Sequence, residues 1–112
     1  MAFQNIIGNV LIPATAVTGS FVTLYTTPAA TRTFLKSIDI CNTTSGALTV
    51  FVSIVVSGGT AGTANALYSG ISIAANAVLQ WRGLQILAAG TFISVKSTAT
   101  GLTIIASGAE AT

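Results

Sequence analysis

The sequence predicts an all-β protein: an antiparallel β-sandwich, jelly-roll or immunoglobulin-like, of about seven to nine short strands. Three features point there. Apolar and polar residues alternate at period two along most of the chain, the mark of strands with one face buried. Clusters of Gly, Pro, Asn, Ser and Thr punctuate the alternation about every eight to twelve residues. The alanine-rich stretches are short, broken by glycine and flanked by β-branched residues, so none reads as a helix.

Residues 6–12 form a first strand or N-terminal arm, with Gly8 as a bend or bulge, and Pro13 ends it. This divides the chain into an arm or edge strand, 1–13, and a single sandwich domain, 14–112. After a small-residue connection, 21–26 is the next strand, and Pro28-Ala29-Ala30 is a tight loop, because proline fixes φ and lacks a ladder donor.

Residues 31–56, TRTFLKSIDICNTTSGALTVFVSIVV, read as two long strands in a β-hairpin. Phe34, Ile38 and Ile40 share one face of the first strand, and Ser37, Asp39 and Cys41 the other. Thr43-Thr44-Ser45-Gly46 supplies the turn. In the second strand Val50, Val52 and Ile54 oppose Phe51 and Val55, so both faces are apolar. An uncharged, proline-free, β-prone segment of this kind must be paired centrally or covered, and its burial on both sides points to an oligomer.

Residues 57–65, rich in glycine and without a large side chain, form a loop. Leu67-Tyr68 begins a short strand that continues or restarts at Gly70, and 77–81 and 84–87 are further apolar pieces. Residues 91–97 and 102–107 form a second hairpin across Thr98-Ala99-Thr100-Gly101.

At 112 residues the chain is one domain that buries roughly two-thirds of its unfolded surface. Hydrophobic residues make up 52% and charged residues 5%, against about 25% charged in an ordinary soluble domain. The surface is therefore a nearly uncharged skin of Thr, Ser, Asn, Gly and Ala, which repels its own copies weakly. The net charge of +2, from Arg32, Lys36, Arg82 and Lys96 against Asp39 and Glu110, is too sparse for a nucleic-acid footprint. Polar residues interrupt every apolar run well short of the ~20 that a spanning helix needs, so no membrane partner is expected. The apolar N-terminus lacks the basic region of a signal peptide and reads as a first strand, with secretion as the alternative.

Catalysis needs groups that titrate or coordinate, and few are present. With no histidine, His-dependent triads and most zinc sites are excluded. Asp39 lies in a central strand and Glu110 in the C-terminal tail, so a hydrolytic carboxylate pair is disfavoured. Asp39 is better read as an ion-pair partner of Lys36 or Arg32. No loop carries the several acids of a calcium site, and the glycines of 57–62 lack the lysine and helix of a phosphate loop. Cys41, the single cysteine, reads as a small, partly buried hydrophobe. No enzyme activity, cofactor or metal is expected. Trp81-Arg82 is either an interface anchor or a core residue at a strand end with a capping arginine.

Leu24-Tyr25-Thr26-Thr27-Pro28-Ala29, Ile38-Asp39-Ile40-Cys41-Asn42-Thr43, Ile73-Ala74-Ala75-Asn76, Leu87-Ala88-Ala89-Gly90-Thr91-Phe92-Ile93-Ser94-Val95 and residues 103–108 together resemble the small β-sandwich virion proteins of tailed bacteriophages. The resemblance spans residues 15–110, and the chain departs from it at Thr27 and Arg32-Thr33-Phe34 around the proline loop. It implies a structural part of a particle: a decoration, or cement, protein on the outer capsid surface, or a module of a tail fibre or baseplate. The expected partners are further copies of the chain, as a trimer, and the major capsid protein. The residues expected at such interfaces are Ile6, Ile7 and Val10 of the arm, the charged Arg32, Lys36 and Asp39, and Tyr68, Trp81 and Arg82. In a tail module Trp81, Tyr68 and the 57–65 loop would contact host glycans.

Overall fold

Alternating residues become strands here because two sheets can share one interior. The computed structural model describes residues 6–112. Its strands are β1 (Ile6–Val17), β2 (Val22–Thr26), β3 (Arg32–Asn42), β4 (Leu48–Val55), β5 (Ala66–Ile73), β6 (Val78–Leu87), β7 (Phe92–Ser97) and β8 (Leu102–Ala111), with one 3-10 turn at Thr63–Asn65. Sheet A has the order β1-β8-β3-β6 and sheet B the order β2-β7-β4-β5, and every pairing is antiparallel. The partners nest: first with eighth, second with seventh, third with sixth, fourth with fifth. This is the winding of a jelly roll and not of an immunoglobulin sandwich.

The interior is built from the inward-facing residues of the central strands. Leu35, Ile38 and Ile40 of β3, Val50 and Val52 of β4, Ile93 and Val95 of β7 and Leu102 and Ile104 of β8 are all buried in one cluster. Each contributes about 1.5–3 kcal/mol relative to an exposed position. In β3 the pairing with both neighbours slips between Leu35 and Ser37. This bulge at Lys36 reverses the alternation: Thr33 and Leu35 are buried before it and Ile38 and Ile40 after it. Phe34 therefore lies on the opposite face from Ile38, contrary to the unbroken alternation expected over 34–42.

Neither expected hairpin forms. β3 lies in sheet A and β4 in sheet B, so residues 43–47 carry the chain across the sandwich. β7 and β8 are separated in the same way, across 98–101. Asn42, fully buried, makes the first crossing possible. Its Nδ2 donates to the carbonyls of Gly46 (2.8 Å) and Ile73 (2.9 Å). Its Oδ1 accepts from the Thr44 amide (2.9 Å) and hydroxyl (2.7 Å).

Pro13 does not end the first strand. β1 runs on to Val17 by slipping register twice, between Val10 and Ile12 and between Ile12 and Thr15, and an edge strand with bulges tolerates a residue without an N–H. The boundary drawn at Pro13 thus falls inside β1. Gly70, at φ +77°, bends β5 without interrupting it, and residues 78–87 are one strand and not two.

β4 is covered on both faces, as its sequence implies, but the cover is the chain itself. Val50 and Val52 face the core. On the other face the Ser53 hydroxyl donates to the Gly62 carbonyl (3.2 Å). A Cβ at Gly59 would stand 2.9 Å from Val55 Cγ1, so only glycine lets the loop lie so close. Folded back in this way, residues 56–65 bury Val55 completely.

Candidate interaction surface

The outer face of sheet A is built in rows fixed by register. One row runs Gly8, Ala109, Phe34, Ile86 and another Val10, Ser107, Ser37, Arg82. The first is apolar throughout. Ile6, Ile7 and Val10 on β1 are 66%, 65% and 53% exposed, and Val78, Leu84 and Ile86 on β6 are 52%, 51% and 56% exposed. Isolated exposed aliphatics are ordinary on a protein surface, whereas concentration on particular strands is informative. Most of the exposed large aliphatics among the described residues sit on the two edge strands of this one sheet.

All the residues expected at an interface except Tyr68 lie in sheet A. Ile6, Ile7 and Val10 line one edge, and Trp81 and Arg82 lie within the other. Arg32 and Lys36 are exposed on β3, Arg32 at its start and Lys36 at its bulge. Asp39 is bonded across to Arg82 (Nη1 to Oδ1, 2.9 Å), not to Lys36 or Arg32 as expected. The register brings this about: Asp39 faces Gln80 and Ser37 faces Arg82 on adjacent strands. Trp81 lies in mid-strand, half-buried against the core, and not at a strand end.

Glu110 belongs to β8 and not to a tail, level with Thr33 on one side and Ile7 on the other. Its Oε2 accepts from the Tyr25 hydroxyl (2.6 Å) and its Oε1 from Asn9 Nδ2 (2.9 Å), while Tyr25 and Thr33 hydroxyls lie 2.7 Å apart. The Tyr25 and Asn9 bonds hold the Glu110 carboxyl below its ordinary 4.5. Burial, then the bond to Glu110, pushes Tyr25 up to about 12. This cluster ties β2 of sheet B to three strands of sheet A. It clamps the two sheets together at this end.

On sheet B a cavity of about 180 Å³ is lined by Tyr68, Phe21, Phe51, Lys96 and the loop residues Gly62 and Thr63. Lys96 Nζ stands 4.9 Å and 4.8 Å from the ring centres of Phe21 and Phe51. Tyr68 and the 57–65 loop are therefore brought together, while Trp81 lies in the other sheet. Among the described residues no three of His, Cys, Asp and Glu come together as a metal site. By sequence alone Leu84 and Ile86 look like one more core piece. Their shared spacing with Arg82 is the signal that they face outward.

The architecture is thus a single jelly roll. Two solved structures share it. One is a chain of infectious bursal disease virus, Gx strain, with TM-score 0.53 and 10% identity, matched over 96% of this chain and 32% of that one. The other comes from Bacillus endospore appendages described as disulfide-linked pili, with TM-score 0.52 and 15% identity, matched over 100% of this chain and 94% of that one. The chain spans about a third of the virus chain's length. At these identities the likeness is one of fold. No protein-family model and no curated protein matches the sequence.

Proposed function

We propose that the chain is a non-enzymatic structural subunit of a virion or another extracellular assembly. The observation that carries this reading is the concentration of exposed aliphatics on the two edge strands of sheet A, in a chain with only 5% charged residues whose Glu110 serves as a clamp. A surface of this composition favours burial against neighbours and opposes it with little charge. In its finer form this is the capsid decoration, or cement, protein that the phage resemblance implies: a trimer seated on the major capsid protein at the outer surface. The fold shared with a virus chain supports that form.

The match over nearly the whole pilus chain favours a second form, in which one jelly roll is the repeating unit of a fibre. With a single cysteine, half-buried in β3, a thiol could join these subunits only in pairs, so such a fibre would be held by strand pairing and apolar burial. Immunogold labelling with an antibody to the chain tests the reading on purified particles and on cell-surface material. Label on capsids supports decoration, label on tails supports the attachment module, and label along fibres supports the second form. Label confined to the cell interior would sink all of them.

A further inference from the structure

We propose that sheet A continues from copy to copy, β6 of one subunit pairing antiparallel with β1 of the next. The proposal rests on the structural-subunit reading and names the partner as a second copy of this chain.

Both strands are edges, so each presents a row of backbone N–H and C=O groups with no neighbouring strand among the described residues. Proteins usually blunt such edges with charge, proline or bulges. Residues 6–10 of β1 carry no charge, and the proline and both register slips of that strand lie beyond them. The only charge on β6 is Arg82, already bonded to Asp39, and the strand slips once against β3, between Arg82 and Gln85. The edges of sheet B are better defended. β2 is five residues long with a slip at its centre, and β5 is bent at Gly70 with two slips.

Geometry makes β1 and β6 complementary. Each contains an unbroken run of exposed residues, 6–10 in β1 and 82–86 in β6. Register overlaps the two runs: Gly8 is in the row of Ile86 and Val10 in the row of Arg82, so residues 8–10 of β1 stand level with residues 82–86 of β6. Because strand direction alternates across the sheet, β6 runs opposite to β1. A sideways step of one subunit therefore sets β6 beside the next β1 in the antiparallel sense without inversion. Bulky Ile86 then meets Gly8, and the apolar row Gly8, Ala109, Phe34, Ile86 becomes continuous between subunits. The two surfaces differ, so the contact is head-to-tail and does not close on itself. Sheet twist of roughly 20–25° per strand turns the array into an open helix.

The test uses the full chain and two variants altered only at exposed positions. Ile6→Lys with Val10→Lys blocks β1, and Leu84→Lys with Ile86→Lys blocks β6; far-UV circular dichroism checks that both fold. In sedimentation velocity the wild type should form open-ended oligomers that lengthen with concentration, and each variant alone should remain a monomer. Mixed, the variants should form a heterodimer and nothing larger, because one intact β6 remains to meet one intact β1. Either variant assembling like wild type would overturn the pairing, as would a β6-blocked homodimer, which would reveal a symmetric β1 contact. A wild-type chain that stays monomeric to millimolar concentration yet binds particles would overturn the pairing alone. A monomer that also labels no particle or fibre would overturn the structural reading as well.

Discussion

Of the six charged side chains, Glu110 is the one whose ionisation the fold uses most. Tyr25 and Asn9 both donate to its carboxylate, so its folded pKa lies below its unfolded value. The stability this supplies is present above the unfolded pKa and is lost as pH falls through the folded one. Tyr25 has the opposite sense. Raised from 10.0 to about 12, it keeps its proton in the folded state while the unfolded chain loses it, so stability falls as pH rises from 10 towards 12. Tyr25→Phe should cost about 1.5 kcal/mol at neutral pH, the low end for a bond to a charged group because the site is only half-buried. It should also flatten both arms of a urea-midpoint-against-pH profile. Some alkaline slope should remain from Tyr68, which burial raises on its own. Asp39→Asn breaks an ion pair whose side chains are 55% and 37% exposed, so it should change stability by less than about 1 kcal/mol. A larger loss from Asp39→Asn than from Tyr25→Phe, measured side by side, would reverse this ranking.

At the scale of elements, the crossings between sheets and the close strand contacts are the points of least tolerance. Asn42→Ala leaves the Gly46 and Ile73 carbonyls and the Thr44 amide without their partner at a fully buried position. The expected loss is about 3 kcal/mol, read as a fall in urea midpoint at constant slope. Gly108→Ala should cost about as much, because its Cβ would overlap the Phe34 carbonyl oxygen where β8 and β3 pair. A wild-type midpoint for either variant would refute the reading. These same elements mark what could be read from the sequence. Strand positions were legible because core-facing residues such as Val50, Val52, Ile93 and Val95 announce themselves by period. The hairpins were not legible, because a link of four or five residues between two strands looks the same whether they pair or cross the sandwich. Asn42, which favours the crossing, works through Ile73, 31 residues away. The Tyr25–Glu110 bond spans 85 residues, and no local pattern encodes it. The bulge at Lys36 is hidden likewise, since it exists only relative to strands on both sides.

For the whole molecule, the nested winding dictates an order of folding. Among the described strands, only β4 and β5 are both consecutive in the chain and hydrogen-bonded. The pairs β3–β6, β2–β7 and β1–β8 enclose them in turn, ending with Ile6 beside Ala111. Closing the outermost pair first would cost the entropy of a loop of nearly the whole chain. Closing outward from β4–β5 makes each later closure short, because the previous pair has already brought the ends together. Non-local pairing of this kind places folding in the millisecond-to-second range, and the inner strands should be formed in the transition state while β1 is not. Val52 and Ile12 are both almost fully buried, so truncating either loses enough stability, about 2 kcal/mol or more, for a reliable comparison. Trp81, the single tryptophan, packs against the core and reports on its closure. In stopped-flow fluorescence, Val52→Ala should slow refolding with little effect on unfolding, whereas Ile12→Ala should leave refolding nearly unchanged and speed unfolding. If Ile12→Ala slows refolding as much, per unit of stability lost, as Val52→Ala does, β1 docks before the barrier and the inside-out order is wrong.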